Sequence, residues 1–138
     1  MKKPAELRAH LTQWVPDIAT NPDKLHIFVD KGRVVSRVGQ GLSFEYHFQL
    51  RIIVTDFAEP ADALTVPLLV WISEHQPNLL LDEKLRQSVI GIEAEIIDHD
   101  KIDIALTLEL SERVLLKPAP DGGYVCQHVA EPALPEIG

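Results

Sequence analysis

Residues 43–55 show the cleanest alternation in the chain. Phe44, Tyr46, Phe48, Leu50, Ile52 and Val54 fall on one side, and Glu45, His47, Gln49, Arg51 and Thr55 on the other, with Ile53 the exception. Apolar residues at period two require a sheet with one buried face. A helix would scatter the same residues around its circumference. Two more runs alternate in the same way. Ile90, Ile92, Ala94 and Ile96 interleave with Gly91, Glu93, Glu95 and Ile97, and Ile102, Ile104, Leu106, Leu108 and Leu110 interleave with Asp103, Ala105, Thr107 and Glu109. The polar segment Asp98-His99-Asp100-Lys101 between them has hairpin length.

Helical spacing appears twice. Leu7, Leu11, Trp14 and Val15 predict a helix over 4–15, with Pro4 suited to its first turn and Pro16 stopping it. Leu64, Leu68, Trp71, Ile72 and His75 share a stripe that predicts a helix over 61–76. Pro67 conflicts with that helix, because it lacks an N–H and crowds the carbonyl four residues back. Either the regular helix starts near Thr65 or Pro67 kinks it. Trp14 and Trp71 both read as core anchors.

Shorter signals complete the pass. Asn21-Pro22-Asp23 is a turn. Leu25 to Val29 and Arg33 to Val38 read as a hairpin around Asp30-Lys31-Gly32, with Gly32 free to take a positive φ. Gly39-Gln40-Gly41 is a flexible break. Val114 to Lys117 and Tyr124 to Val129 flank a turn cluster at 118–123. The expected architecture is α+β: a mostly antiparallel sheet with two helices packed on it. One domain is expected over 1–130, followed by a flexible tail over 131–138.

Charge alters this picture by being uneven. Residues 1–51 carry 8 basic and 5 acidic groups, whereas 52–138 carry 5 basic and 16 acidic groups, for a net charge of −8. An acidic chain does not wrap nucleic acid, since that affinity comes from Lys and Arg on phosphates. No apolar run approaches the ~20 residues of a membrane span. No long apolar stretch follows the basic start, so no secretory signal is expected. With Cys126 as the sole cysteine, no internal disulfide forms, and a reducing cytosol is the expected site of synthesis.

Candidate chemistry is thin. Asp98, His99, Asp100 and Asp103 are the one dense cluster of ligand-type groups, which could hold a divalent metal. They sit at a hairpin tip, where Asp is favoured for turn geometry and neighbouring side chains diverge. The histidines at 10, 26, 47, 75, 99 and 128 show no i, i+4 zinc spacing. His47, between Glu45 and Gln49, reads as a cross-strand residue on the polar face. Cys126 reads as a small buried hydrophobe. Ser43, Ser73, Ser88 and Ser111 lie in no nucleophile-elbow pattern. Gly39-Gln40-Gly41 lacks the strand and helix of a phosphate loop. No catalytic residue, metal site or cofactor is assigned. Partner contacts are the better reading. Glu93 and Glu95 project from one face of a strand, Glu109 alternates similarly on the next, and Arg33 and Arg37 project together. Charge pairing between such faces on different subunits would set their register.

Leu42-Ser43-Phe44-Glu45-Tyr46, Ile53-Val54-Thr55-Asp56-Phe57, Ala63-Leu64-Thr65-Val66-Pro67-Leu68-Leu69-Val70-Trp71 and His75-Gln76-Pro77 resemble the tail completion protein (GpR) family of contractile-tailed temperate phages and prophages. The resemblance runs from Leu7 to near Leu110 and is strongest over 42–77. It implies a non-enzymatic virion protein at the head-proximal end of the tail, which stops tail growth and prepares the tail for head joining. It also implies a tail-terminator-like fold whose members form six-fold rings. The implied partners are further copies of the chain, tail tube and sheath subunits, and neck or head-completion proteins. DNA would be only passing cargo, and assembly would take place in the bacterial host cytoplasm. A ring needs one patch to meet a different patch on the next copy. Two other readings stay open on the residues alone: a small cytosolic enzyme using a metal at Asp98-His99-Asp100, and a soluble binding module with no virion role.

Overall fold

A computed structural model describes residues 1–37 and 42–131. Its five strands form one antiparallel sheet: β1 (Leu25–Arg37), β2 (Ser43–Phe57), β3 (Gly91–Ile96), β4 (Ile102–Pro118) and β5 (Tyr124–Val129). The order is β1-β2-β4-β3, with β5 lying beside the far half of β4. β2 and β4 are the long central pair, in register from Ser43 opposite Leu115 to Phe57 opposite Ile102. Their even-numbered apolar residues face one side, and Leu50, Ile52, Val54, Leu106 and Leu108 are fully buried there.

The helices close that side. α1 (Lys3–Trp14) and the short α2 (Pro16–Thr20) contribute Leu7, Leu11 and Ile18, while α3 (Asp62–His75) contributes Leu64, Leu68, Trp71 and Ile72. The single turn α4 (Asn78–Leu81) adds Leu79. This is the α+β arrangement the alternation predicts, with both main helices on one face of the sheet.

Several expectations change. The segment 25–37 is no hairpin: it is one strand paired along β2 from Leu25 opposite Val54 to Arg37 opposite Ser43. Asp30-Lys31-Gly32 forms a bulge, where the register slips between Asp30 and Arg33. The slip changes the parity, so that Val34 opposite Tyr46 stays on the same side as Ile27 opposite Ile52. The positive φ falls on Lys31 (φ 50), not on Gly32.

Val114 to Lys117 is no separate strand either, because β4 runs straight through Ser111-Glu112-Arg113. Trp14 is 47% exposed, so it anchors no core, whereas Trp71 is fully buried as expected. Cys126 is exposed, because β5 rides on the edge of β4 beyond the reach of the helices.

Pro67 lies inside α3, which starts at Asp62 rather than near Thr65. Val38, the Gly39-Gln40-Gly41 break and residues 132–138 of the expected tail fall outside the described residues.

Candidate functional site

The hairpin tip between β3 and β4 closes on its own backbone. The amides of Ile97 and Asp98 both donate to the Lys101 carbonyl, and the Asp100 amide donates to Asp98 Oδ1 at 2.8 Å. Asp103 is engaged elsewhere, accepting the Asp56 amide at 2.8 Å. The carboxylates therefore serve turn geometry, as Asp does at such positions. Among the described residues, no group of three or more His, Cys, Asp or Glu is placed to hold a metal ion.

The histidines are dispersed. His47 Nε2 lies 2.9 Å from Glu45 Oε2 on the outer face of β2. His10 Nε2 meets the Pro67 carbonyl at 2.8 Å, which ties α1 to α3. His75 stacks on Trp71 with ring centroids 4.7 Å apart. Ser73 is occupied within its helix, donating to the Val70 carbonyl.

A buried polar knot went unseen in the sequence. Glu112 is 4% exposed and points to the helix side of β4. Its carboxylate accepts the Lys3 amide at 2.6 Å and the Lys2 amide at 3.0 Å, so it caps the start of α1. Lys3 Nζ turns inward to donate to Gln76 Oε1 at 2.6 Å and to the Ser111 carbonyl at 2.5 Å. Burial pushes the Lys3 ammonium below its usual range, and nearby Glu131 and Glu112 offset part of that shift. His128 Nδ1 sits 3.7 Å from Glu112 Oε2. The depression beside the knot, about 250 Å³, is lined by Lys2, Lys3 and His75 together with Glu6 and Glu74. That mixed charge selects no ligand of either sign. The signal for the knot was parity: Leu110, Glu112 and Val114 continue one face of β4, which places a carboxylate in the core row.

The charged residues singled out in the sequence lie on one surface. Glu93, opposite Ala105, and Glu95, opposite Asp103, face away from the helices. Glu109, opposite Gln49, shares that face and accepts from Gln49 Nε2 at 3.0 Å. Arg33, opposite His47, and Arg37, opposite Ser43, share it on β1 at the far edge. The structure therefore sets Glu93 and Glu95 on β3 and the arginines on β1, at opposite margins of a single sheet face, with Glu109 on β4 between them. Arg37 pairs with Glu45 at 2.6 Å. Arg33 forms no ion pair among the described residues.

β1 and β3 each lack a neighbour on their outer side. β3 is exposed along its whole length. What the molecule offers is surface, with bare strand edges, an acidic and a basic margin, and a packed interior. Such a protein is a structural building block. The chain belongs to the P2 phage tail completion protein R (GpR) family, whose model matches residues 1–132. It is 39% identical over 136 residues to "Tail completion protein R" of Escherichia phage P2, covering 99% of this chain and 87% of that protein. No solved structure matches. The family is a structural one of phage tail assembly and not an enzyme, so nothing in it supports a metal enzyme at Asp98-His99-Asp100 or a module without a virion role. As a virion tail component, the chain interacts with other parts of the tail.

Proposed function

We propose that this chain completes the tail at its head-proximal end. Copies form a six-fold, tail-terminator-like ring that stops growth of tube and sheath and presents a surface to neck or head-completion proteins. Assembly takes place in the host cytoplasm. The observation that carries this reading is the match along 99% of the chain to a protein named for tail completion.

Physical features are compatible with it. A ring requires two different patches on each copy that are complementary to each other, and the sheet has two bare edges of unlike charge. A net charge of −8 disfavours adhesion of DNA to the walls of a lumen through which it must pass. The bulge at 30–32 and the exposed turn at 118–123 are the contact sites for tube and neck, because irregular surface segments carry recognition more often than cores do.

Gold labelling of a tagged chain in purified particles tests the position. Label at the junction of tail and head is expected. Label spread along the sheath, or at the baseplate, contradicts the proposal.

A further inference from the structure

The sheet ends in two margins that fit each other better than either fits its own copy. On the helix side, β3 leaves Ile92 54% and Ile96 80% exposed, and β1 leaves Val34 62% exposed. On the outer side, β3 carries Glu93 and Glu95 while β1 carries Arg33, which forms no ion pair among the described residues. Each margin thus repeats one arrangement, apolar on the helix side and charged on the outer side, with opposite signs of charge.

Strand direction adds a second constraint. Every adjacent pair in β1-β2-β4-β3 is antiparallel, so β1 and β3 run in opposite directions. Arg33 lies level with His47 of β2, whereas Glu93 lies level with Ile53 through Ala105. A head-to-tail copy related by rotation about an axis inclined to the strands, and thereby staggered by about six residues along them, brings its β1 antiparallel to β3 with these groups opposite one another. The sheet then continues across the joint with its two faces in register. Bare edges of this kind invite such pairing. Two-fold pairing is electrostatically worse. β3 against β3 sets Glu93 and Glu95 against their own copies, and β1 against β1 does the same to Arg33, and like charges opposite one another destabilise a sheet.

Resting on the tail-completion reading above, we infer that the β3 edge of one copy docks on the β1 edge of the next. Ile92 and Ile96 are buried against Val34, and Glu93 and Glu95 against Arg33. The joint is heterologous, so it propagates from copy to copy and closes when the rotation allows.

Sedimentation of the purified full chain at high concentration under reducing conditions tests the joint. The wild type is expected to associate. Glu93→Arg/Glu95→Arg and Arg33→Glu are each expected to weaken association by about tenfold or more, because like charges then face each other at every joint. An equal mixture of the two variants is expected to associate again, since the reversed β3 edge of one meets the reversed β1 edge of the other. That rescue also excludes misfolding as the cause of the loss. A wild type that stays monomeric, variants that associate like the wild type, or a mixture that fails to recover overturns the joint. Loss with only one of the two variants also overturns it. Failure of the tail reading shows separately, as particles that join heads to tails normally without the chain.

Discussion

At the scale of single residues, Glu112 does the most unusual work. A carboxylate in the core row of a strand is costly unless its lone pairs are filled. Here the backbone amides of Lys2 and Lys3 at the start of α1 fill them. Removing the carboxylate would strand the two amides at the start of α1, while the Lys3 ammonium keeps Gln76, Ser111 and Glu131. Glu112→Ala is expected to lose about 3 kcal/mol in urea unfolding. Glu112→Gln, which keeps an acceptor, is expected to lose clearly less. A loss under about 0.5 kcal/mol for the alanine variant would show that the knot is incidental.

Asp17 is the second such residue. Its carboxylate accepts from Lys24 Nζ, Asn21 Nδ2 and the Ala58 amide, tying α2 to the segment that follows β2. Partial burial raises its pKa, but the Ala58 and Lys24 hydrogen bonds overcome this and hold it below the usual carboxylate range. The folded chain therefore releases the proton more readily than the unfolded chain. The stabilisation is complete above the unfolded value near 4 and disappears as the pH falls through the folded value. Asp17→Asn is expected to be about 1 kcal/mol less stable at pH 7, with the gap to wild type closing in acid. A gap unchanged from pH 7 to about 2 contradicts this account.

At the scale of elements, the strands built on strict alternation were legible. β2, β3 and the first half of β4 follow from period two, and α1 and α3 from helical stripes. What misled was local punctuation. Asp30-Lys31-Gly32 has the composition of a turn, yet continuous pairing with β2 outweighs a local turn preference and turns it into a bulge. Glu112 looked like a break because its partners lie about 110 residues away in sequence, at the start of α1. Trp14, half-covered by the stacked His10 ring, and Cys126 carry core-type side chains at positions outside the core.

The bulge makes its own prediction. Lys31 holds the left-handed conformation, while Gly32 does not, and a Cβ on Gly32 meets only ordinary contacts, the nearest at 3.6 Å. Gly32→Ala is expected to change stability by under about 0.5 kcal/mol. Lys31→Gly is expected to be neutral or stabilising by up to about 1 kcal/mol, because it removes the left-handed penalty. Chemical denaturation of both variants checks this. A marked loss at Gly32 with none of the expected benefit at Lys31 would mean that the strain sits elsewhere.

At the scale of the whole molecule, the candidate surface was half visible in the sequence. Alternation put Glu93 with Glu95 and Arg33 with Arg37, each pair on one face, and both pairs do share the outer face of the sheet. Period alone does not tell which strand ends up at which margin. Strand order does, and it depends on long-range pairing that one sequence does not display. The interior is occupied by Trp71, Leu68, Ile52 and Leu106, all fully buried, so recognition is left to margins and turns.

The central claim is that this chain acts as a structural piece that finishes a phage tail. Electron microscopy of lysates from its own phage or induced prophage with the gene deleted tests it most directly. Heads filled with DNA beside tails that are overlong or never joined are the predicted result. Intact particles with normal tail lengths in normal numbers would contradict it.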